Sequence, residues 1–482
     1  MGTAVMSRVS GIGAVSDNCH CRRPASASGG TRTDCGPQVR DAGVRARGTA
    51  IARGRRLMPS PSRAAALAVL ALGAGAAAQQ VWIVNPQAGV NALQAMIDDI
   101  RVQSGDILRV QGGTYGPTTL TTKALHIVAE GTVEVQQLVI QGIPARTTVS
   151  LLGVNITGIP GTGAATPSLW VRQCAGGVMV DSCGFQGRQE APSQAAQVRA
   201  VVQVEQASLF AEWSRLSGTA AGASTLLPAS ALWASQATVT LSLCTVVGGR
   251  ALLSSAQDGM PAVQASNALI YLEHNLIMGG SGGNPGNITC PGNPGGLGGA
   301  AVDSVNSDVL VTGAEQLWAG FSPTPVCGQP TSAIAGTGNL YMHPSAFLMP
   351  NPGAPAVDPR MVVYNRNPVA LVPQQSSLLP GQNARWDHYG DPGSFVFTLL
   401  SQLAWTTVPH PQIPGGLHVD PGLAILTGPI LVPPGGSVPI QFVIPNSPAL
   451  RGARLFVATV GVDASFINVL ATPPSALFVR FL

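Results

Sequence analysis

The 482-residue chain is 45% hydrophobic and only 10% charged, with 58 Gly, 39 Pro and a mean hydropathy of +0.27. That composition is too apolar for a disordered chain and too rich in turn formers for a helical one, so folded all-β structure is expected. The net charge of +4 is concentrated at one end: residues 1–63 hold 11 of the 26 basic residues, all Arg, and 3 of the 22 acidic ones, leaving −4 on the remainder and no electrostatic reason to bind nucleic acid.

Met58 opens a leader-like stretch, MPSPSRAAALAVLALGAGAAAQQ. Arg63 supplies the positive end, Ala64–Ala74 an apolar stretch too short to span a bilayer, and Ala76-Ala77-Ala78 a small-residue cleavage site before Gln79. Residues 1–57 then read as an over-extended or disordered start, 58–78 as a signal peptide, and the location as extracellular or cell-surface, with no integral membrane segment after cleavage. Five cysteines follow the leader: Cys174, Cys183, Cys244, Cys290 and Cys327. Export permits disulfides, the odd number leaves at least one free thiol, and Cys290 and Cys327, in loop-like segments, are the best candidate pair.

Beyond Gln79, Asn91–Val102 has helical periodicity, Ser104-Gly105-Asp106 makes a turn, and Ile107–Val110 reads as a strand ending in a Gly-Gly turn before Thr114-Tyr115. Six segments then resemble one another: VSLLGVNITG, VMVDSCGFQG, LFAEWSRLSG, VTLSLCTVVG, IYLEHNLIMG and VLVTGAEQLWAG. Their marker residues Asn155, Cys183, Ser214, Cys244, Asn275 and Gln316 are spaced by 28, 31, 30, 31 and 41 residues, the last interval containing the Gly-rich run Gly279–Gly299. A second short strand precedes most markers, as in SLWVRQC, AVVQVEQ and ALWASQA. Units this short, with no helix between strands, pair in parallel if each turn of a coil stacks on the last. A β-propeller blade is the competing reading, and it fits the spacing less well.

Inside the coil, Val178, Leu209, Val239, Ile270 and Val311 should form one inward column, and Val180, Ala211, Leu241 and Leu272 another. Asn155, Cys183, Cys244 and Asn275 belong at a bend, which makes the thiols core residues rather than nucleophiles. The pattern loosens into a Pro-rich connector that includes Pro350–Pro359, and short strands follow at Phe395–Leu400, Leu423–Leu426, Val438–Ile444, Arg454–Val460 and Ala476–Phe481, a β-sandwich pattern.

The opening rung, with Gly105, Asp106, Gly113 and Tyr115, resembles the N-terminal cap of pectin-lyase-like proteins. That resemblance implies an all-β chain: a right-handed, single-stranded parallel β-helix over 79–345 with an N-terminal capping helix, followed over 346–482 by the connector and a C-terminal antiparallel β-sandwich. The last hundred or so residues, from GLHVDPGLAILTGPILVPPGG onward, resemble a C-terminal domain carried by many secreted bacterial repeat proteins, which implies extracellular use and no particular reaction.

Chemistry would lie on the outward columns. Asp181, Glu212, Ser242 and Glu273 share one, and Met179, Phe210, Thr240 and Tyr271 another; Trp170 and Trp233 align on the preceding strand, where Arg172 faces Glu205 as an expected cross-strand salt bridge. Carboxylates one rung apart, about 5 Å, repel unless one is protonated, bridged or splayed into water. Asp181, Glu212 and Glu273 are therefore the candidate catalytic residues, and Trp170, Phe210, Trp233 and Tyr271 the candidate ligand-binding residues, for an extracellular polysaccharide or cell-surface glycan. The plain alternative is a solvated sheet face with a few exposed aromatics. The resemblance weighs against catalysis, because the Asn-Thr-Asp, Asp-Asp and Gly-His-Gly motifs of polygalacturonase-like relatives are missing, and Lys123 lies in an ordinary rung. No calcium loop, zinc spacing or nucleotide fingerprint occurs, so neither metal nor cofactor is expected. The reading is a non-catalytic structural, adhesive or carbohydrate-binding protein, with a polysaccharide-degrading hydrolase or lyase as the alternative. An enzyme should gather its carboxyls in a cleft walled by the loops after Gly158, Gly187, Gly218 and Gly248; a binding protein should spread them over an open face.

Overall fold

The computed structural model describes residues 79–482 except 160–166, 188–199, 222–227, 253–256, 284–295, 314, 323–329, 365–367, 402–403, 411–412, 420–424, 448–450, 453, 464–468, 473–474 and 480–482. The leader, Cys290 and Cys327 lie outside the described residues.

Parallel pairing of successive turns builds a parallel β-helix from a 23-stranded sheet. Its middle turns have three faces. The first carries Leu169–Arg172, Ala200–Glu205, Ser230–Ser235 and Val263–Ser266; the second Gly177–Asp181, Ser208–Glu212, Thr238–Ser242 and Leu269–Glu273; the third Gly184–Gln186, Arg215–Ser217, Thr245–Val247 and Leu276–Met278. Val178, Leu209, Val239 and Ile270 are paired in succession and fully buried, the inward row expected from the repeat. The next residue in that row is Val309 rather than Val311, which joins the column of Leu272. The last turn has one more residue at its second bend than the turn before, so Glu315, not Gln316, occupies the marker position opposite Asn275. Likewise Asn155 pairs with Gly184, so Val154 precedes Cys183 in the stack.

Each bend is made by a single residue in the left-handed region. Gln173, Gln206, Gln236 and Asn267 turn the chain from the first face to the second, and Ser182, Trp213, Leu243 and His274 from the second to the third, with φ between 48° and 56°. Such bends leave backbone N–H groups pointing along the coil axis, and the next turn must accept them. Gln206 N donates to Ser235 O at 3.1 Å and Trp213 N to Ser242 O at 3.1 Å. The marker side chains complete the ladder: Cys183 N donates to Ser214 Oγ (3.1 Å), Cys244 N to Asn275 Oδ1 (2.7 Å) and Asn275 N to Glu315 Oε1 (3.0 Å). Small polar residues and thiols recur here because the position faces the interior and must either accept an N–H or fill a narrow bend. Cys174, Cys183 and Cys244 are free and buried, and burial pushes the Cys183 and Cys244 thiols up to about 12, which removes them as nucleophiles.

The N-terminal end is closed by Val81–Val84, which pairs with Ile107–Tyr115, and by the helix Ala92–Asp98, which buries Leu93 and Ile97. The Asp106 carboxylate holds this cap by accepting from Gln80 N (3.1 Å), Trp82 Nε1 (3.0 Å) and Gln103 N (2.9 Å). Lys123 Nζ donates to the carbonyls of Ile97 and Asp99 at the helix end, so it is a capping residue. The coil continues to Met361–Tyr364, which pairs with Ile334–Met342. Pro350–Pro359 therefore lies within the last turn, and the boundary expected at 345 falls too early; proline is tolerated there because a loop between faces needs no ladder donor.

A two-stranded antiparallel pair, Ala404–His410 with Ile413–Val419, and two larger, mainly antiparallel sheets follow. Of the larger sheets, each is built around long strands. One joins Ala370–Pro373, Asn383–Tyr389 and Ser437–Val443; the other centres on Phe395–Ser401, Arg454–Val462 and Ser475–Val479. A single apolar cluster, including Trp386, Phe442, Leu400, Val457 and Leu477, joins the two. In the second sheet, Ser475–Val479 and the middle of Arg454–Val462 are buried on both sides. Leu455, Val457 and Leu477 enter this core, while Phe456 and Ala476 pack on Met179 and Phe210 of the β-helix, and Phe478 on Ile107 and Val128.

Glycines line the third corner, where backbone meets backbone. A Cβ on Gly280 would sit 1.9 Å from Gly249 O, whereas one on Gly435 would meet nothing within 4 Å. We expect Gly280→Ala to cost about 3 kcal/mol by overpacking, and Gly435→Ala less than about 0.5 kcal/mol. Urea midpoints of the two variants check this; equal midpoints would refute the close stacking.

Candidate functional site

The carboxyl column is in register. Asp181 pairs with Glu212, Glu212 with Ser242 and Ser242 with Glu273, on neighbouring turns. It is neither an open face nor a cleft. Asp181, Glu212 and Glu273 are only 5%, 3% and 3% exposed. The C-terminal sheets lie against this side of the coil, a long-range contact that strand alternation on either element alone does not reveal.

The covering sheets supply polar partners. Ser475 and the Ala476 N–H donate to Glu212, and Ser475 Oγ in turn accepts from Trp386 Nε1 at 2.9 Å, so a chain of hydrogen bonds runs from the core of the C-terminal sheets to the β-helix. The Leu371 N–H donates to Glu273. Arg454 is inserted beside Asp181 and donates to His126 Nδ1, which also lies 3.3 Å from Ser150 Oγ. Burial lowers the Arg454 guanidinium to about 9, with Asp181 opposing that shift, and burial beside Arg454 keeps His126 neutral.

These partners are too few for full ionisation. Glu212 Oε2, Glu273 Oε1 and Glu315 Oε2 have no hydrogen-bond partner. Burial first, then the neighbouring carboxyls, raises Glu212 and Glu273 well above the ordinary range, and burial does the same to Glu315. Raised carboxyls are what general-acid chemistry needs, but here they are buried beneath the C-terminal sheets rather than set in an open cleft. Among the described residues no group of three or more His, Cys, Asp and Glu is placed to hold a metal, and no helix is long and apolar enough to cross a membrane.

The four aromatic candidates divide into two pairs. Phe210 and Tyr271, 1% and 3% exposed, lie under the C-terminal sheets with the carboxyls. Trp170 and Trp233 stand half-buried on the first face, in one outward column with Gln203 between them. Trp170 Nε1 donates to Glu205 at 3.2 Å, and the Arg172 guanidinium stacks 4.1 Å from the Trp170 ring. Arg172 donates to Gln141 Oε1 at 2.9 and 2.6 Å rather than to Glu205, so the expected salt bridge is replaced by an amide contact with the turn below.

No protein-family model matches the chain, and no curated protein does. Among solved structures, the full-length tailspike protein 2 of an Escherichia coli O157:H7 bacteriophage is similar at 10% identity and a TM-score of 0.20, over 79% of this chain. This chain spans 62% of that protein's length. The enzymatically active domain of bacteriophage CBA120 tailspike protein 2 is similar at 9% identity and a TM-score of 0.19, over 77% of this chain and 68% of that one.

Sequence reasoning missed Glu315, Arg454, His126 and Ser475. Glu315 was legible as the residue before Gln316 once a one-residue insertion at the bend is allowed; the other three carry no local signal, since their roles arise from contacts more than 200 positions apart. We expect a pH signature from the covered column. Carboxyls whose protonated form is favoured by folding support it fully below about pH 4.5 and progressively less as the pH rises. His126, held neutral, acts oppositely but only as the pH falls through about 6.5. Glu212→Gln should therefore stabilise the protein by about 1–3 kcal/mol at pH 8 and by nothing measurable at pH 4. Thermal melts at both values test this, and a loss of stability at pH 8 would mean the carboxylate is properly paired.

Proposed function

We propose that this is an exported, extracellular or cell-surface protein that binds a polysaccharide or cell-surface glycan on the first face of its β-helix without cleaving it. The single observation that carries this reading is the division of the outward side chains. The carboxyls are closed off under the C-terminal sheets, while the two indoles on the first face stay accessible and share one column.

Trp170 and Trp233 are two turns apart, roughly 9–10 Å by the strand spacing. That separation is on the scale of a disaccharide, and each indole offers an apolar face to the C–H side of a sugar ring, on Trp170 the face opposite Arg172. Beyond Trp233, the half-buried Gln264 occupies the same outward column and offers amide donors and acceptors without a fixed charge, while Gln203, between the two indoles, is buried. The coil is a rigid carrier for such a column, because every residue in it is held by pairing on both sides. Export rests on the leader from Met58 to Ala78.

A glycan array probed with the chain starting at Gln79, alongside a reducing-end assay, tests the reading. Binding without product is expected, reduced about tenfold by Trp170→Ala and again by Trp233→Ala. Release of reducing ends, or binding that survives the double substitution, would overturn it.

A further inference from the structure

A second recess lies apart from both the carboxyl column and the tryptophan face. It has a volume of about 380 Å³ and is walled by bends of the β-helix at His274, Gly313 and His343–Ser345 on one side and by loops of the C-terminal sheets around Tyr389 and Pro434 on the other. That volume falls within the range of small-molecule sites, which favour such junctions between modules.

The wall is chemically consistent. Tyr389 and His274 pack as a tilted aromatic pair, ring centroids 4.8 Å apart. His274 is kept neutral by burial, with Asp387 opposing that shift. The Ser345 backbone N–H donates to His343 Nδ1 (3.1 Å), and the Ser345 hydroxyl lies 2.6 Å from the same nitrogen, which leaves Nε2 to face a ligand. Gly313 keeps this pair in place, because a Cβ there would lie 3.0 Å from Ser345 Oγ and 3.3 Å from His343 Nδ1. Gly390 likewise leaves room, since its Cβ would come within 2.9 Å of His388 Nε2. Proline rings and bare glycine backbone complete the wall, and no Asp, Glu, Lys or Arg is among the described lining residues.

A ligand suited to this wall carries no net charge, offers C–H faces to the tyrosine and proline rings, and presents hydroxyls to groups that both donate and accept. We propose that the recess between the β-helix bends and the C-terminal loops binds a single neutral sugar residue, separately from the Trp170/Trp233 face. Both halves of the molecule contribute to it, so an occupant also bridges the coil and the sheets.

Isothermal calorimetry and saturation-transfer NMR on the chain from Gln79, with glucose, galactose, mannose and N-acetylglucosamine as probes and glucuronate and glucosamine as charged controls, test the proposal. At least one neutral sugar should bind with a Kd on the order of 1 mM, as befits a ligand of about a dozen heavy atoms. Gly435→Trp, at a rim position with free space around it, should weaken that binding at least tenfold while leaving the melting temperature unchanged. Tyr389→Leu should weaken it by a similar factor. The Trp170→Ala/Trp233→Ala variant should leave monosaccharide binding as it is, which separates this site from the one on the first face. Absence of binding by every neutral sugar, preference for a charged control, or binding indifferent to Gly435→Trp would each overturn the proposal.

Discussion

The architecture depends on one constraint: a coil that bends through single left-handed residues leaves N–H groups at every corner, and only the next turn can accept them. Non-glycine residues in that region cost about 1–2 kcal/mol each, and here they recur at two corners of each middle turn. The strain is tolerable because it is periodic. Each bend stacks on an identical bend, so the hydrogen bonds that hold one turn hold all of them, and side chains of the marker residues take the donors the backbone misses. A turn with a different bend would break the pattern on both sides, which explains why Ser214, Asn275 and Glu315 all keep an oxygen at the corner.

The same stacking dictates what happens on the outside. A parallel coil places chemically similar residues one above another, so an acidic residue kept on successive turns becomes a column of like charges. Exposed, such a column is screened by water. Covered by the C-terminal sheets, it must lose charge or find donors, and the sheets supply some: Ser475, the N–H groups of Ala476 and Leu371, and Arg454 beside Asp181. The unpartnered oxygens of Glu212 and Glu273 mark where that supply ends. The apolar contact of Phe456 and Ala476 with Met179 and Phe210 provides the attraction, and the polar groups set the register.

Much of the coil was legible because the repeat is local. Column membership follows from spacing, so Val178, Leu209, Val239 and Ile270 fall into line from sequence alone, as do the pairing of Asp181 with Glu212 and the inward thiols. The strand at Arg454–Val462 was legible, over Arg454–Val460, as a short apolar run between turn residues. What spacing could not supply was the partner of an outward face. An outward face that mixes apolar and aromatic residues, such as Met179, Phe210 and Tyr271, with acids looks the same in sequence whether it meets water, ligand or a second sheet. Ser475–Val479, expected only as part of a short strand over Ala476–Phe481, is buried along its whole length, as an apolar run between two partners must be. The small misplacements, Gln316 for Glu315 and Val311 for Val309, have a plainer cause: the bend after Val311 holds one extra residue, so the marker is set one position late, and counting back from it without that residue moves the inward valine by two.

Burying carboxyls at an interface stabilises it less than an apolar surface of the same shape would, because desolvation offsets the gain from each hydrogen bond. What the polar column adds is orientation. The outward face of the coil is nearly translationally symmetric, so a sheet held only by apolar contacts could dock one turn higher or lower at little cost. Asp181 differs from Glu212 in reach, Ser242 interrupts the acids, and only one alignment sets Arg454 beside Asp181 and His126 while Ser475 meets Glu212. A shift by one turn, roughly 5 Å, would leave the guanidinium facing Glu212 and its own partners unmatched. On a repetitive scaffold, the irregular polar residues are what tell one turn from the next, and that requirement accounts for their presence under the sheets without invoking catalysis.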